Sequence, residues 1–211
     1  MVFTADGALA CAPGRAVILR NDGWRSFFEA EAFSYWFRGQ GVEVEKLPPG
    51  YHIDGGNLVR LSSISYLIGL KPGSLGKAER YMGKLLNLVA GARVRPLALR
   101  ERRFLHLDMA VGNLGGGRGL LVYWDALHPV SRDYLKQSVE VPIISVCEQD
   151  AVRFACNCIT VNGTVITGPI SSELRAEIEA QGLEVLCIDL SEFYKAGGGA
   201  KCLTLPITHP Y

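Results

Sequence analysis

The sequence predicts an α/β fold built from repeated ββαβ modules. Three observations carry this reading. Short β-rich runs alternate with helical ones along the whole chain. The unit strand, strand, helix, strand returns about four times, at a period of about 50 residues. No linker or low-complexity stretch separates the units, so residues 1–211 read as a single domain.

The elements follow in order. GRAVILR (14–20) is a strand, and SFFEAEAFSYWFRGQG (26–41) is an amphipathic helix stopped by glycine. VEVEKLP (42–48) is the returning strand. NLVRL and SYLIGL are strands, LGKAERYMGKLLNLVAG a helix and RVRPLAL a strand. FLHLDMAVGNL and GRGLLVYWD form a strand pair around a run of glycines, followed by the helix HPVSRDYLKQS and the strand VEVPIISV. CNCITV and TVITGP are joined by Asn162–Gly163, a strong hairpin signal. In SSELRAEIEAQG, Ser171 or Ser172 caps a helix and Gly182 ends it. LEVLCIDLSEF reads as the strand that closes the unit, and CLTLPI as one strand more.

Composition removes several classes of function. Lysine and arginine number 22 against 21 acids, a net charge of +1, which gives no basic field for nucleic acid or an anionic membrane surface. The apolar runs fall far short of the roughly 20 residues needed to cross a bilayer. The N-terminus MVFTADGALA carries an acid and lacks the basic region of a secretory signal. Six cysteines are sparse and sit mostly in apolar contexts, which fits a reducing cytoplasm better than a disulfide framework. Cys156 and Cys158 form a C-x-C pair, on one face if that run is a strand. No second ligand pair has matching spacing, so no metal is expected.

Polar residues stand out where a repeat does not need them. In FLHLDM, strict alternation puts Phe104, His106 and Asp108 on one face of an apolar strand. Burying both a histidine and an acid requires partners. Asp54 precedes two glycines and Asn57, a turn-forming sequence. Asp6 ends an apolar run. AGGGAKCLTLP (196–206) admits two readings: a turn entering a buried strand with Cys202 as a small hydrophobe, or a nucleophile on an exposed loop. One nucleophile, one histidine and several acids point to Cys–His covalent chemistry. The acids suit a planar cation, and carboxylates match the N–H fork of a guanidinium bidentately.

Those residues also carry a resemblance. The segment from ACNCITV to GGGAKCLTLPI is similar to the C-termini of dimethylarginine dimethylaminohydrolases, IDGGN to the family's acid–Gly–Gly–Asp motif, and FLHLDM to its histidine strand. The chain thus resembles the guanidine-modifying, or pentein, superfamily over nearly its whole length. The resemblance implies a five-bladed α/β propeller with a central polar site and no cofactor. It implies Cys202 as nucleophile, His106 as general acid/base and Asp54 as the acid gripping the guanidinium. Asp6, Asp108 and Arg25 take substrate-binding positions, and Asn57 stands where the motif has aspartate. KPGSLG (71–76) lacks the arginine that often binds the substrate's α-carboxylate. The activity implied is C–N hydrolysis of a small guanidino substrate, dimethylargininase- or deiminase-like, or amidino transfer. The alternative is a non-catalytic pentein-fold binding protein or an inactive truncated homologue. Met1 falls where the family's second module begins, so a second copy or a partner chain is expected to cover the gap left by the first.

Overall fold

The computed structural model describes residues 2–20, 24–47, 53–70, 91, 93–100 and 103–207; the side chains of Ala12, Trp24 and Arg25 are outside that description. Twelve strands among these residues form four three-stranded sheets on one plan. The first module has β1 (Ala8–Ala12), β2 (Arg15–Ile18), helix α1 (Trp24–Gly39) and β3 (Glu43–Lys46). The second has β4 (Leu58–Arg60), β5 (Ser65–Leu70) and β6 (Arg93–Ala98). The helix predicted between β5 and β6 lies outside the described residues, except for Gly91. The third has β7 (Val111–Asn113), β8 (Leu120–Val122), α2 (Pro129–Ser138) and β9 (Ile143–Ser145). A short helix, α3 (Glu148–Ala151), leads to the fourth: β10 (Ile159–Val161), β11 (Thr164–Thr167), α4 (Ser172–Glu179) and β12 (Glu184–Cys187). Helix α5 (Ser191–Lys195) follows.

In every sheet the first strand pairs antiparallel with the second, and the second pairs parallel with the third. The rule is physical. An antiparallel pair closes with a tight turn, whereas a parallel pair needs a long crossover, which a helix supplies. Asn162 and Gly163 take φ of 48° and 83°, the left-handed pair that a two-residue hairpin turn demands. Ser171 Oγ accepts from Leu174 N and caps α4 as predicted.

The first strand of each module lines one central cavity of about 740 Å³, so the modules stand around a common axis. Neighbouring modules are stitched by short backbone bridges, Arg20 to Ile53 and Leu99 to Leu127. One apolar core runs from Leu67 and Leu97 through Leu120 and Leu121 to Ile178, uniting modules two to four. The chain's two ends meet. Ala5 N donates to Cys202 O at 3.1 Å, Thr4 Oγ1 donates to Leu203 O at 2.9 Å, and Leu205 packs on the Ala8–Ile18 cluster.

Four local expectations are corrected. CLTLPI is not a strand; residues 201–203 form a turn and 204–207 an irregular segment, because their bonds go to the first module rather than to a ladder. FLHLDM is not a strand either. His106 is extended, but Leu107–Met109 wind into a 3-10 turn that ends the alternation, so Leu107 and Asp108 are both buried. Cys156 lies in a turn ahead of β10, so it does not share a strand face with Cys158. LEVLCIDLSEF ends as a strand at Cys187, and Ser191 begins α5. Helix α1 also departs from simple amphipathicity: Phe33 and Phe37 are buried while Phe28 and Tyr35 are exposed. Among the described residues no helix is long and apolar enough to cross a membrane.

Contact between modules three and four is tight at Gly112 in β7. A Cβ built there would sit 2.4 Å from Cys156 O. Gly112→Ala is expected to cost about 1–3 kcal/mol, as overpacked interiors do, read as a lower midpoint in urea unfolding.

Candidate active site

The site is assembled from the turns that lead into the modules. Thr4–Asp6 precedes β1, Gly55–Asn57 precedes β4, and Leu107–Met109 precedes β7; each is one turn of 3-10 helix. The turn around Asn157 precedes β10, and Lys201–Leu203 comes last. A short turn at the head of each strand puts one or two side chains at the same end of the axis.

Glycines make the approach close enough. A Cβ at Gly55 would lie 1.8 Å from Ala5 O, and one at Gly56 would lie 2.4 Å from His106 Nδ1. Neither glycine has a positive φ. They serve as space, so that the Asp6 turn and the His106 ring can rest on bare backbone. Asp6 Oδ1 then accepts from Gly56 N at 2.9 Å. His106 Nδ1 stands 3.8 Å from Asp6 Oδ1, and Nε2 stands 3.4 Å from Asp54 Oδ2. Asp6, Asp54 and His106 thus form one cluster.

The second cluster surrounds the thiol. Cys202 is 3% exposed. Asn157 Nδ2 is 3.1 Å from its sulfur and Asp108 Oδ2 is 4.0 Å away. Asp108 is fully buried and accepts from Lys201 Nζ at 2.9 Å. In the loop ahead of it, Gly197 takes φ of 89°, while Gly198 and Gly199 provide room against Phe3, Cys202 Cβ and Asn157 Oδ1. The two clusters are joined by the backbone from His106 to Asp108 and by the Ala5–Cys202 hydrogen bond.

Comparison with known proteins fits this geometry. No family model matches the chain. It is 33% identical over 213 residues to the bifunctional arginine dihydrolase/ornithine cyclodeaminase AgrE of Nostoc sp., spanning all of this chain and 29% of that protein. The crystal structure of the product-bound N-terminal domain of ArgZ, a cyanobacterial arginine dihydrolase, superimposes with a TM-score of 0.86 at 33% identity. That match covers 100% of this chain and 76% of the ArgZ domain. The chain belongs to the pentein superfamily of guanidine-modifying enzymes. A third pentein relative is the dimethylarginine dimethylaminohydrolase of Mycobacterium tuberculosis, 28% identical over all of this chain and 66% of its own length.

In this pentein chain the charges of the site are set by burial against neighbours. For His106, burial works to lower the pKa. The hydrogen bond that His106 donates to Asp54 and the carboxylates of Asp6, Asp108 and Asp54 outweigh it, and the net shift is upward from 6.5. Burial is the main cause that raises Asp6. For Lys201, burial is again overcome by Asp108, and its pKa rises. The Cys202 thiol is pushed up to about 12, first by burial and then by Asp108, against Lys201 and the N–H groups of Asn157 and Gly199. These effects favour a protonated, enclosed thiol. Of the other five thiols, Cys11, Cys156 and Cys158 are buried, Cys187 is half-buried and Cys147 is exposed.

Of the residues singled out from sequence, Asp6, Asp54, His106, Asp108 and Cys202 come together. Asn57 is buried beside them, with its side-chain oxygen over Gly69 and no hydrogen-bond partner among the described residues. The Arg25 side chain and residues 71–76 lie outside the described residues. Asn157 and Lys201 were missed. Lys201 had a signal, being next to the cysteine; Asn157 was hidden inside a C-x-C pair read only for metal. Among the described residues no group of three or more His, Cys, Asp or Glu could hold a metal ion.

Two outcomes are expected. In an NMR titration the His106 ring should show a midpoint above 6.5, and Asp54→Asn should lower it. The stabilisation from this pair is present below 6.5 and is lost as pH rises through the raised folded value. Lys201→Met leaves the buried Asp108 carboxylate unpaired and should cost about 3 kcal/mol in urea unfolding, with part recovered by adding Asp108→Asn.

Proposed function

We propose that this chain hydrolyses the guanidino group of L-arginine or a close analogue through a covalent intermediate on Cys202. The observation that carries the reading is the convergence of three carboxylates, one histidine and one thiol from four modules. Likeness over the whole chain to proteins described as arginine dihydrolases supports the substrate class. Because the chain spans 29% of the length of the AgrE relative, the activity of the whole protein is part of the proposal.

The chemistry follows from the charges. A guanidinium held by Asp54 and Asp6 brings a positive charge to the Cys202 thiol and favours its ionisation, the proton leaving to water. The thiolate adds to the guanidino carbon, forming a C–S bond. The C–N bond breaks as the departing amine takes a proton from the His106 imidazolium. His106, now neutral, takes a proton from water. The resulting hydroxide adds to the same carbon, the added hydroxyl gives its proton to water, the C–S bond breaks, and a ureido compound leaves with the thiolate restored. The raised pKa of His106 suits the first of these transfers, because the ring must be protonated when the amine departs.

Incubation with L-arginine and related guanidino compounds, scored for ammonia or amine and for ureido product, tests the reading. Turnover is expected, and Cys202→Ala should reduce it at least about a thousandfold, as loss of a nucleophile does. Tight binding of a guanidino compound with no turnover would sink the proposal in favour of a non-catalytic binding protein.

A further inference from the structure

We propose that Asn157 positions Cys202 and supplies the N–H that stabilises its thiolate. This deepens the reading of Cys202 as nucleophile and rests on it. Asn157 is 1% exposed, and its side chain and backbone oxygen face the cysteine loop. Its Oδ1 accepts from Gly199 N and from Cys202 N, both at 3.1 Å. Its backbone oxygen accepts from Lys201 N at 3.1 Å. One side chain therefore ties down both ends of the glycine loop and the residue carrying the thiol.

The same bonds decide which way the amide points. The oxygen and nitrogen of an asparagine are told apart by their partners. Two backbone N–H groups converge on one terminal atom of Asn157, and only an oxygen can accept both. The NH₂ is thereby turned toward Cys202 Sγ, 3.1 Å away. A donor aimed at sulfur favours the anion over the thiol.

This donor has opposition to meet. Cys202 faces the Asp108 carboxylate at 4.0 Å from the turn before β7, and Lys201 from its own turn. Asp6 is next to Ala5, which bonds to the Cys202 carbonyl. His106 and Asp54 belong to the neighbouring cluster. Cys156 and Cys158 flank Asn157 but stay neutral, with Cys158 pushed up to about 12 by burial. Lys201 is engaged by Asp108, so the Asn157 N–H is the side-chain donor directed at the sulfur itself.

The backbone around Asn157 is arranged for this task. Phe154 holds a φ of 64°, a left-handed conformation unfavourable for an aromatic residue. Its ring stacks on Tyr194 at 5.0 Å and 13°, and Asn157 N donates to Phe154 O at 2.9 Å. Tyr194 lies in α5, just ahead of the glycine loop. The stack thus clamps the Asn157 turn against the segment that carries Cys202.

Asn157→Asp separates the two roles. A carboxylate oxygen still accepts from Gly199 N and Cys202 N, but the other oxygen faces sulfur and donates nothing. The full chain is treated with iodoacetamide at pH 8.5 and followed by peptide mass spectrometry, with the exposed Cys147 as internal reference. The expected result is a lower melting temperature, since a buried carboxylate costs stability, with an unchanged Cys147 rate and a Cys202 rate lowered about tenfold, one pKa unit. An Asn157→Asp protein that alkylates Cys202 at the parental rate would overturn the proposal. Should that variant fail to fold, the parental protein answers instead. Cys202→Ala should shift the Asn157 side-chain NH₂ resonances while leaving those of Asn113 in place, and unmoved Asn157 resonances would overturn it too. Neither measurement needs turnover, so its failure is distinct from failure of the proposed reaction.

Discussion

Backbone-to-backbone contact between turns at the head of the axis is the constraint on which the structure depends. Gly55 lies against Ala5, Gly56 against the His106 ring and Gly198 against Phe3 and Cys202 Cβ. The Gly55–Ala5, Gly56–His106 and Gly198–Phe3 pairs each join different modules. A methyl group at any of these positions would force the modules apart, and the site would open with them. The Ala5–Cys202 hydrogen bond then joins the first turn to the last. Packing of the inner strands around the central cavity supplies the radius; glycine at the turns supplies the closeness.

That closeness creates an electrostatic problem. Asp6, Asp54 and Asp108 converge in a partly buried space, and burial raises the pKa of Asp6. The chain answers with two basic side chains of different kinds. Lys201 pairs with the buried Asp108, while His106 sits between Asp6 and Asp54 and gains proton affinity from them. Lys201 pairs with Asp108, whose carboxylate still faces the sulfur at 4.0 Å and helps to raise its pKa. Burial and the Asp108 carboxylate together favour the protonated form of the Cys202 thiol.

Much of the module plan was legible in the sequence, since each element carries its own local signal. Alternating apolar runs, the Asn162–Gly163 turn, the Ser171 cap and the Gly182 stop act within a few residues of themselves. The failures share a cause. FLHLDM alternates like a strand but winds into a 3-10 turn, because the turn places His106 and Asp108 where neighbouring modules meet. CLTLPI has strand composition but bonds to Thr4 and Ala5 instead of to a ladder. In both cases a partner distant in sequence won over local preference.

The sequence by itself determined the repeat, the α/β class, and the presence of a cysteine, a histidine and acids in turn-forming surroundings. Composition and periodicity are properties of neighbouring residues, and so are these features. Only the tertiary structure decided which polar groups face one another. It paired Asp108 with Lys201, 93 residues away, and turned Asn157 toward a sulfur 45 residues on. It also buried Cys202, which the glycine loop alone would have left open to solvent. Proximity, burial and the direction of a hydrogen bond arise from how four modules close on one axis, and no single stretch of the chain contains that information.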